Sequence, residues 1–202
     1  MKNLFKKENY PKVLLILFLI IFLISAVNPN YMIVWVYENI ITIVFLFLLI
    51  ITYKKFKFSN LTYTLLFILL VLHAIGSHYS YSEMPLFDLI KDNFNLERNN
   101  YDRLVHFLFG FIFYFPVYEI ISRKFKIKSF WVCLIAFLII TGFKGIYEII
   151  EYVSILISKN DVIGTNFLGM QGDQWDAQKD MILGMIGALL AWIFIWIKDK
   201  FR

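Results

Sequence analysis

The sequence predicts an all-α, polytopic integral membrane protein: six transmembrane helices in a single membrane domain, residues 1–202, with both termini in the cytoplasm. Three observations predict it. Sixty per cent of the residues are apolar and only 17% charged, with a mean hydropathy of +0.68, against about 25% charged in ordinary soluble domains. Six apolar runs approach the roughly 20 residues that cross about 30 Å of hydrocarbon. Lysine and arginine gather in alternate connecting loops, as the positive-inside rule requires. A single cysteine, Cys133, excludes a disulfide framework.

The first run, about 12–28, follows Lys6, Lys7 and Lys12 and ends near Ser25-Ala26, the outline of a signal peptide. It lacks a small-x-small cleavage site and is followed by five more runs, so it reads as a retained span. The second, about 31–53, carries Glu38 near its outer start, and the third, about 60–76, carries His73 near its outer end. Asn60-Leu61-Thr62 matches a glycosylation sequon but falls on the cytoplasmic side. Residues 77–100 are the longest break, with His78, Tyr79 and Tyr81 at its start. There Leu86, Phe87, Ile90 and Phe94 recur at helical spacing beside Asp88, Lys91 and Asp92. Either a short amphipathic helix on the outer surface or a structured loop satisfies that pattern. The last three runs are about 103–122, 129–157 and 177–197.

Fourteen lysines and arginines fall on the inner side by this plan, among them Lys2, Lys6, Lys7, Lys12, Lys54, Lys55, Lys57 and Arg202. Five fall outside: Lys91, Arg98, Arg103, Lys159 and Lys179. Twelve of the 15 acids lie outside or in the outer half of a span. The net charge of +5 is therefore not that of a nucleic-acid-binding protein, because the basic groups are scattered over juxtamembrane loops. Topology explains the inner excess of base. It does not explain the outer excess of acid, since acids contribute little to orientation.

Ionisable groups inside a span are costly and mark either a function or a buried pair. Three spans carry them at one depth near the outer surface. Asp102 and His106 are four residues apart and share a face that Gly110 continues. Lys144, Glu148 and Glu151 follow at spacings of four and three, with Thr141 and Gly145 beside them. Asp173, Asp176 and Asp180 repeat the pattern, and below Asp180 the face becomes Gly184, Gly187 and Ala191. Small residues at that spacing let helices approach closely in a bilayer, so the polar stripe points at other helices and not at lipid. A pocket open to the outside is the expected result.

Simpler roles stand beside this one. Asp102 and Asp173 suit helix caps, and Lys144 with Glu148 suits an (i, i+4) ion pair. Capping does not reach Asp180, nearly two turns in. So many carboxylates in one pocket require positive charge, from Arg103 and Lys144 or from a divalent metal. One histidine with several carboxylates suits Zn, Mn or Mg, and the candidate ligands are His106, Glu148, Glu151, Asp173, Asp176 and Asp180. A metal there would activate water or clamp a phosphate. Of these, His106, Glu148, Glu151, Asp176 and Asp180 are also the acid/base candidates, and Arg103, Lys144 and Gln171 would hold an anionic substrate. Glu38 and His73 are candidates to join them. The chain lacks a Gly-x-Ser-x-Gly elbow, and Cys133 sits in an apolar run, so a serine or cysteine nucleophile is unsupported.

Three motifs carry a resemblance. Tyr101-Asp102-Arg103-Leu104-Val105-His106-Phe107, Tyr147-Glu148 with Glu151, and Gln171 through Asp180 resemble the uncharacterised bacterial inner-membrane family typified by YjdF. More distantly, a histidine early in one span, a glutamate ending the next and an aspartate opening the last are similar to VanZ-like proteins, linked to glycopeptide resistance. The resemblance implies a cytoplasmic (inner) membrane location and importance for the motif residues, without an established activity. Two functions follow as expectations. One is a metal-dependent membrane hydrolase or transferase acting at the outer face on a lipid-linked or phosphate-bearing envelope molecule. The other is a non-enzymatic protein that binds or sequesters an ion or envelope ligand. In both, the bilayer is the surrounding partner and nucleic acid is not one.

Overall fold

The computed structural model describes residues 9–158 and 170–200; the orienting charges Lys2, Lys6, Lys7, Lys159 and Arg202 lie outside them. The described residues form seven helices and no strand. They are α1 (Tyr10–Ser25), α2 (Met32–Thr52), α3 (Asn60–His78), α4 (Pro85–Phe94), α5 (Tyr101–Lys124), α6 (Ser129–Ser158) and α7 (Asp176–Lys200). Five of them, α2, α3, α5, α6 and α7, are long and apolar enough to cross a membrane. Their limits lie within a few residues of the predicted runs. Helix α1 likewise stops at Ser25, three residues before the predicted limit of 28. Its 16 residues span about 24 Å, less than the hydrocarbon thickness. The chain is a multi-pass membrane protein, and its described residues hold six apolar helices, one of them short.

By chain contacts the molecule divides into two compact units, the first holding α1–α4 with Tyr101, Asp102 and Gln171, the second holding the rest of α5 with α6 and α7. In the first, α1 lies against α3. Phe18 packs with Leu46 and Ala74, and Tyr10 Oη meets Thr64 Oγ1 at 2.7 Å. Pro11 opens α1 where its missing N–H costs nothing, and Ser59 caps α3 by accepting from Thr62 N at 3.2 Å. The buried face of α2 includes Glu38, Asn39 and Thr42, whereas Ile43, Val44 and Phe47 are exposed. Polar-in and apolar-out is the arrangement lipid imposes. Asn39 donates to Trp35 O at 2.8 Å and to Ser77 Oγ at 3.1 Å, joining α2 to α3.

The break at 77–100 contains a helix, α4, and its faces differ from the expected ones. Phe87 turns inward onto Tyr101, with ring centroids 5.2 Å apart. Leu86, Leu89 and Phe94 point outward. Asp88 is occupied within the unit, by Lys91 at 3.2 Å and by Asn99 Nδ2 at 3.1 Å. The helix ends at Asn95, whose left-handed φ of 49° lets Leu96 N reach Lys91 O.

In the second unit, the expected stripe of small residues brings α5 and α7 into backbone contact. A Cβ placed on Gly110 would lie 1.9 Å from Gly184 O, and one on Gly187 would lie 2.1 Å from Phe107 O. Ala188 and Ala191 are fully buried below them. Helix α6 packs on α7, and Tyr114 Oη of α5 donates to Cys133 O of α6 at 3.0 Å.

Candidate functional site

The polar residues of the second unit converge where α5, α6 and α7 meet. Arg103 leaves the first turns of α5 and reaches the start of α7. Its Nη2 donates to Asp176 Oδ1 at 2.6 Å and Asp173 Oδ2 at 3.2 Å. Its Nη1 donates to Asp176 O at 2.9 Å and pairs with Asp180 Oδ1 at 2.5 Å. Three aspartates at helical spacing thus face one guanidinium, whose rigid fork of donors suits several acceptors at once.

One turn along α5, His106 faces α6. Lys144 Nζ makes a close hydrogen bond with His106 Nδ1 and lies 2.5 Å from Glu148 Oε1. With the ammonium donating, Nδ1 is the lone-pair nitrogen of the ring. Glu148 Oε1 and Asp180 Oδ1 lie 3.7 and 3.6 Å from that nitrogen. The lysine stem is accommodated by a glycine: its Cγ would be 2.7 Å from a Cβ on Gly184. Gly184 therefore has two functions, letting α5 approach and leaving a channel for Lys144.

The electrostatics follow from burial. His106, Lys144, Glu148, Glu151, Asp176 and Asp180 are all buried. Three cations, Arg103, Lys144 and the exposed Lys179, face the four carboxylates Asp173, Asp176, Asp180 and Glu148, and Glu151 is a further buried acid one turn along α6. By formal count, these five carboxylates outnumber the three cations. At the exposed rim, Asp173 accepts from Lys179 Nζ at 2.6 Å and from Trp175 N at 3.1 Å. These contacts, the lysine first, hold its carboxyl below the usual carboxylate range.

Of the residues singled out in the sequence, Arg103, His106, Lys144, Glu148, Asp173, Asp176 and Asp180 come together. Asp173 is both a turn-former ahead of α7, through Trp175 N, and a partner of Arg103. Glu151 is also in the second unit, buried on α6, whereas Asp102, Gln171, Glu38 and His73 sit in the first unit. Asp102 lies in the first turn of α5, where an acid suits the helix dipole, 3.9 Å from Arg98. The N-terminal backbone of α5 is capped by Asn99, whose Oδ1 accepts from Tyr101 N at 3.1 Å. Both ends of the Gln171 amide are used on the backbone of Asn99, at 2.9 and 3.0 Å. Glu38 is buried on α2, and His73 Nδ1 makes a close hydrogen bond with Tyr81 Oη.

Two participants, Tyr147 and Lys179, stood within the sequence motifs but were not site candidates. Tyr147 places its ring 5.1 Å from Lys144 Nζ and 6.1 Å from the His106 ring. It follows Lys144 by three residues, so helical spacing held the signal. Lys179 gave none, because its partner Asp173 stands in the turn before α7, outside helical register. Thr141, one turn deeper than Lys144, keeps a buried Oγ1 with no hydrogen-bond partner among the described residues.

Comparison with known proteins places the chain. No solved structure matches it. It is 31% identical over 181 residues to the inner membrane protein YjdF of Escherichia coli strain K12, covering 87% of this chain and 84% of that protein. Residues 10–200 match the family described as Predicted membrane protein (DUF2238). The chain with the Arg103–aspartate and Lys144–His106–Glu148 contacts belongs to that family of membrane proteins.

Proposed function

We propose that this protein is a non-enzymatic cation-binding protein of the bacterial inner membrane, with its site open to the extracytoplasmic side. One observation carries the reading. Lys144 Nζ stands between an imidazole nitrogen and a carboxylate, in a cluster that holds more acid than base. The lysine is a built-in cation in a place suited to a divalent ion. His106 Nδ1 is 3.6–3.7 Å from the oxygens of Asp180 and Glu148, close to the edge of about 3.3 Å that tetrahedral Zn–N and Zn–O bonds of about 2.0–2.1 Å generate. His106, Glu148 and Asp180 would hold the ion, with Glu151, Asp173 and Asp176 adding negative potential around it. Entry of the ion requires the Lys144 ammonium to withdraw or lose its proton.

The same contacts weigh against a hydrolase or transferase acting on a phosphate-bearing envelope molecule. Arg103 and Lys144, the groups that would grip the phosphate, already donate to Asp173, Asp176 and Glu148. An enzymatic reading requires those pairs to open first. The test is zinc and manganese titration of the purified full chain, with metal content measured after dialysis. One ion per chain is expected, lost in His106→Ala and Asp180→Asn and bound more tightly in Lys144→Met. No bound ion in either the wild type or Lys144→Met overturns the reading.

A further inference from the structure

The first unit contains a cavity of about 330 Å³ among α1, α2 and α3. Its floor is hydrocarbon: Phe18, Leu46, Leu66 and Leu70. Its mouth is formed by Lys12 from the start of α1, Tyr53 and Lys54 from the end of α2, and Tyr63 from the start of α3. These are the ends that the lysine bias assigns to the cytoplasm. Tyr53 and Tyr63 lean together with ring centroids 6.3 Å apart, and both are half-buried.

Among the described residues that line the cavity, the charged ones, Lys12 and Lys54, have one sign. Lys12 and Lys54 are exposed, and among the described residues neither has a carboxylate partner. Lys12 Nζ donates to the neutral Asn9 Oδ1 at 3.3 Å. Lys55 and Lys57 extend the basic edge along the connection to α3, with Lys57 Nζ 5.4 Å from the Tyr53 ring centroid. The polar cluster of α5–α7 is different in kind, because its cations are matched by acids. Here an apolar slot ends in two lysines with no carboxylate partner among the described residues, beside two tyrosines. Juxtamembrane lysines attract anionic lipid, and tyrosine suits the boundary between hydrocarbon and headgroup.

We propose that the α1–α2–α3 cavity is a binding site for one anionic phospholipid of the cytoplasmic leaflet. An acyl chain lies along Phe18, Leu46 and Leu66, and Lys12 and Lys54 hold the phosphate.

The experiment is native mass spectrometry of the full chain in detergent. It is supplied in parallel with palmitoyl-oleoyl phosphatidylglycerol and with the phosphatidylethanolamine bearing the same chains. Wild type is expected to keep one phosphatidylglycerol in preference to phosphatidylethanolamine. Lys12→Gln with Lys54→Gln should remove that preference, at about fivefold per lysine. Leu49→Trp, which fills the slot, should lower retention of both lipids. Lys126→Gln with Lys128→Gln, on the same side but in the connection between α5 and α6, should change nothing. The proposal is overturned by equal retention of the two lipids in wild type, or by an equal loss in the Lys126/Lys128 variant. It is overturned equally by a lipid-free dimer, which would put a second copy over the cavity. Should Leu49→Trp not fold, the two lysine pairs decide the matter alone.

Discussion

Gly110→Ala tests how the site is held together, because a single methyl there meets backbone and not a movable side chain. Its Cβ would lie 1.9 Å from Gly184 O, 2.7 Å from Gly184 C and 2.9 Å from Gly184 Cα, whereas ordinary contact begins near 3.4 Å. Helices α5 and α7 must therefore separate by about 1.5 Å at this level. Arg103 and Asp176 are on those two helices at 2.6 Å, and a shift of that size takes the pair to about 4 Å, the limit of an ion pair. Overpacking costs about 1–3 kcal/mol, with weakened pairing added to it. Gly142→Ala is the matched control, since nothing lies within 4 Å of its Cβ. That change should stabilise by up to about 1 kcal/mol, the helix preference for alanine over glycine. The two variants should differ by about 2–4 kcal/mol, or about 4–16 °C in Tm at the scaling for domains of this size. Cys133, the single cysteine and 2% exposed, provides the assay. A thiol-reactive fluorogenic dye reports its exposure on heating in detergent. Equal melting of Gly110→Ala and Gly142→Ala would refute the close α5–α7 approach and the site geometry built on it.

Two further outcomes are expected. Arg103→Ala leaves Asp173, Asp176 and Asp180 without their shared guanidinium and should destabilise by about 3–5 kcal/mol. Arg103→Lys should restore only part of this, because an ammonium cannot reproduce the fork; full rescue by lysine in the same thiol assay would contradict the assigned contacts. At the rim, the depressed Asp173 carboxyl binds its proton less readily folded than unfolded. Its contribution to stability is present above the unfolded value of 3.8 and is lost as pH falls further. The stability gap between wild type and Asp173→Asn, followed by tryptophan fluorescence, should stay level from neutral pH to about 3.8 and close below it. A gap that closes above that pH would show that Lys179 and Trp175 N do not hold Asp173 ionised.

The sequence determined by itself what depends on local period and hydration. Runs such as 31–53 and 129–157 reappear as Met32–Thr52 and Ser129–Ser158 because the hydrocarbon thickness sets their length. The polar stripes of His106, Lys144–Glu148 and Asp176–Asp180 were legible as one face per helix because side chains three or four residues apart share a face. Gly184, Gly187 and Ala191 were legible as a contact face for the same reason. Tertiary structure decided which partner each stripe meets. Lys144 and Glu148 do form the expected (i, i+4) pair, but Lys144 also takes His106, 38 residues away. Arg103 takes aspartates 70 and 73 residues away. Those choices depend on the distance and rotation between α5, α6 and α7, set where Gly110, Gly184 and Gly187 let backbone touch backbone. Sequence period gives an angle about one helix axis. It contains no information on the neighbouring axis, and so Phe87 facing in, Leu89 facing out, and Asn99 capping α5 became visible only in the folded chain.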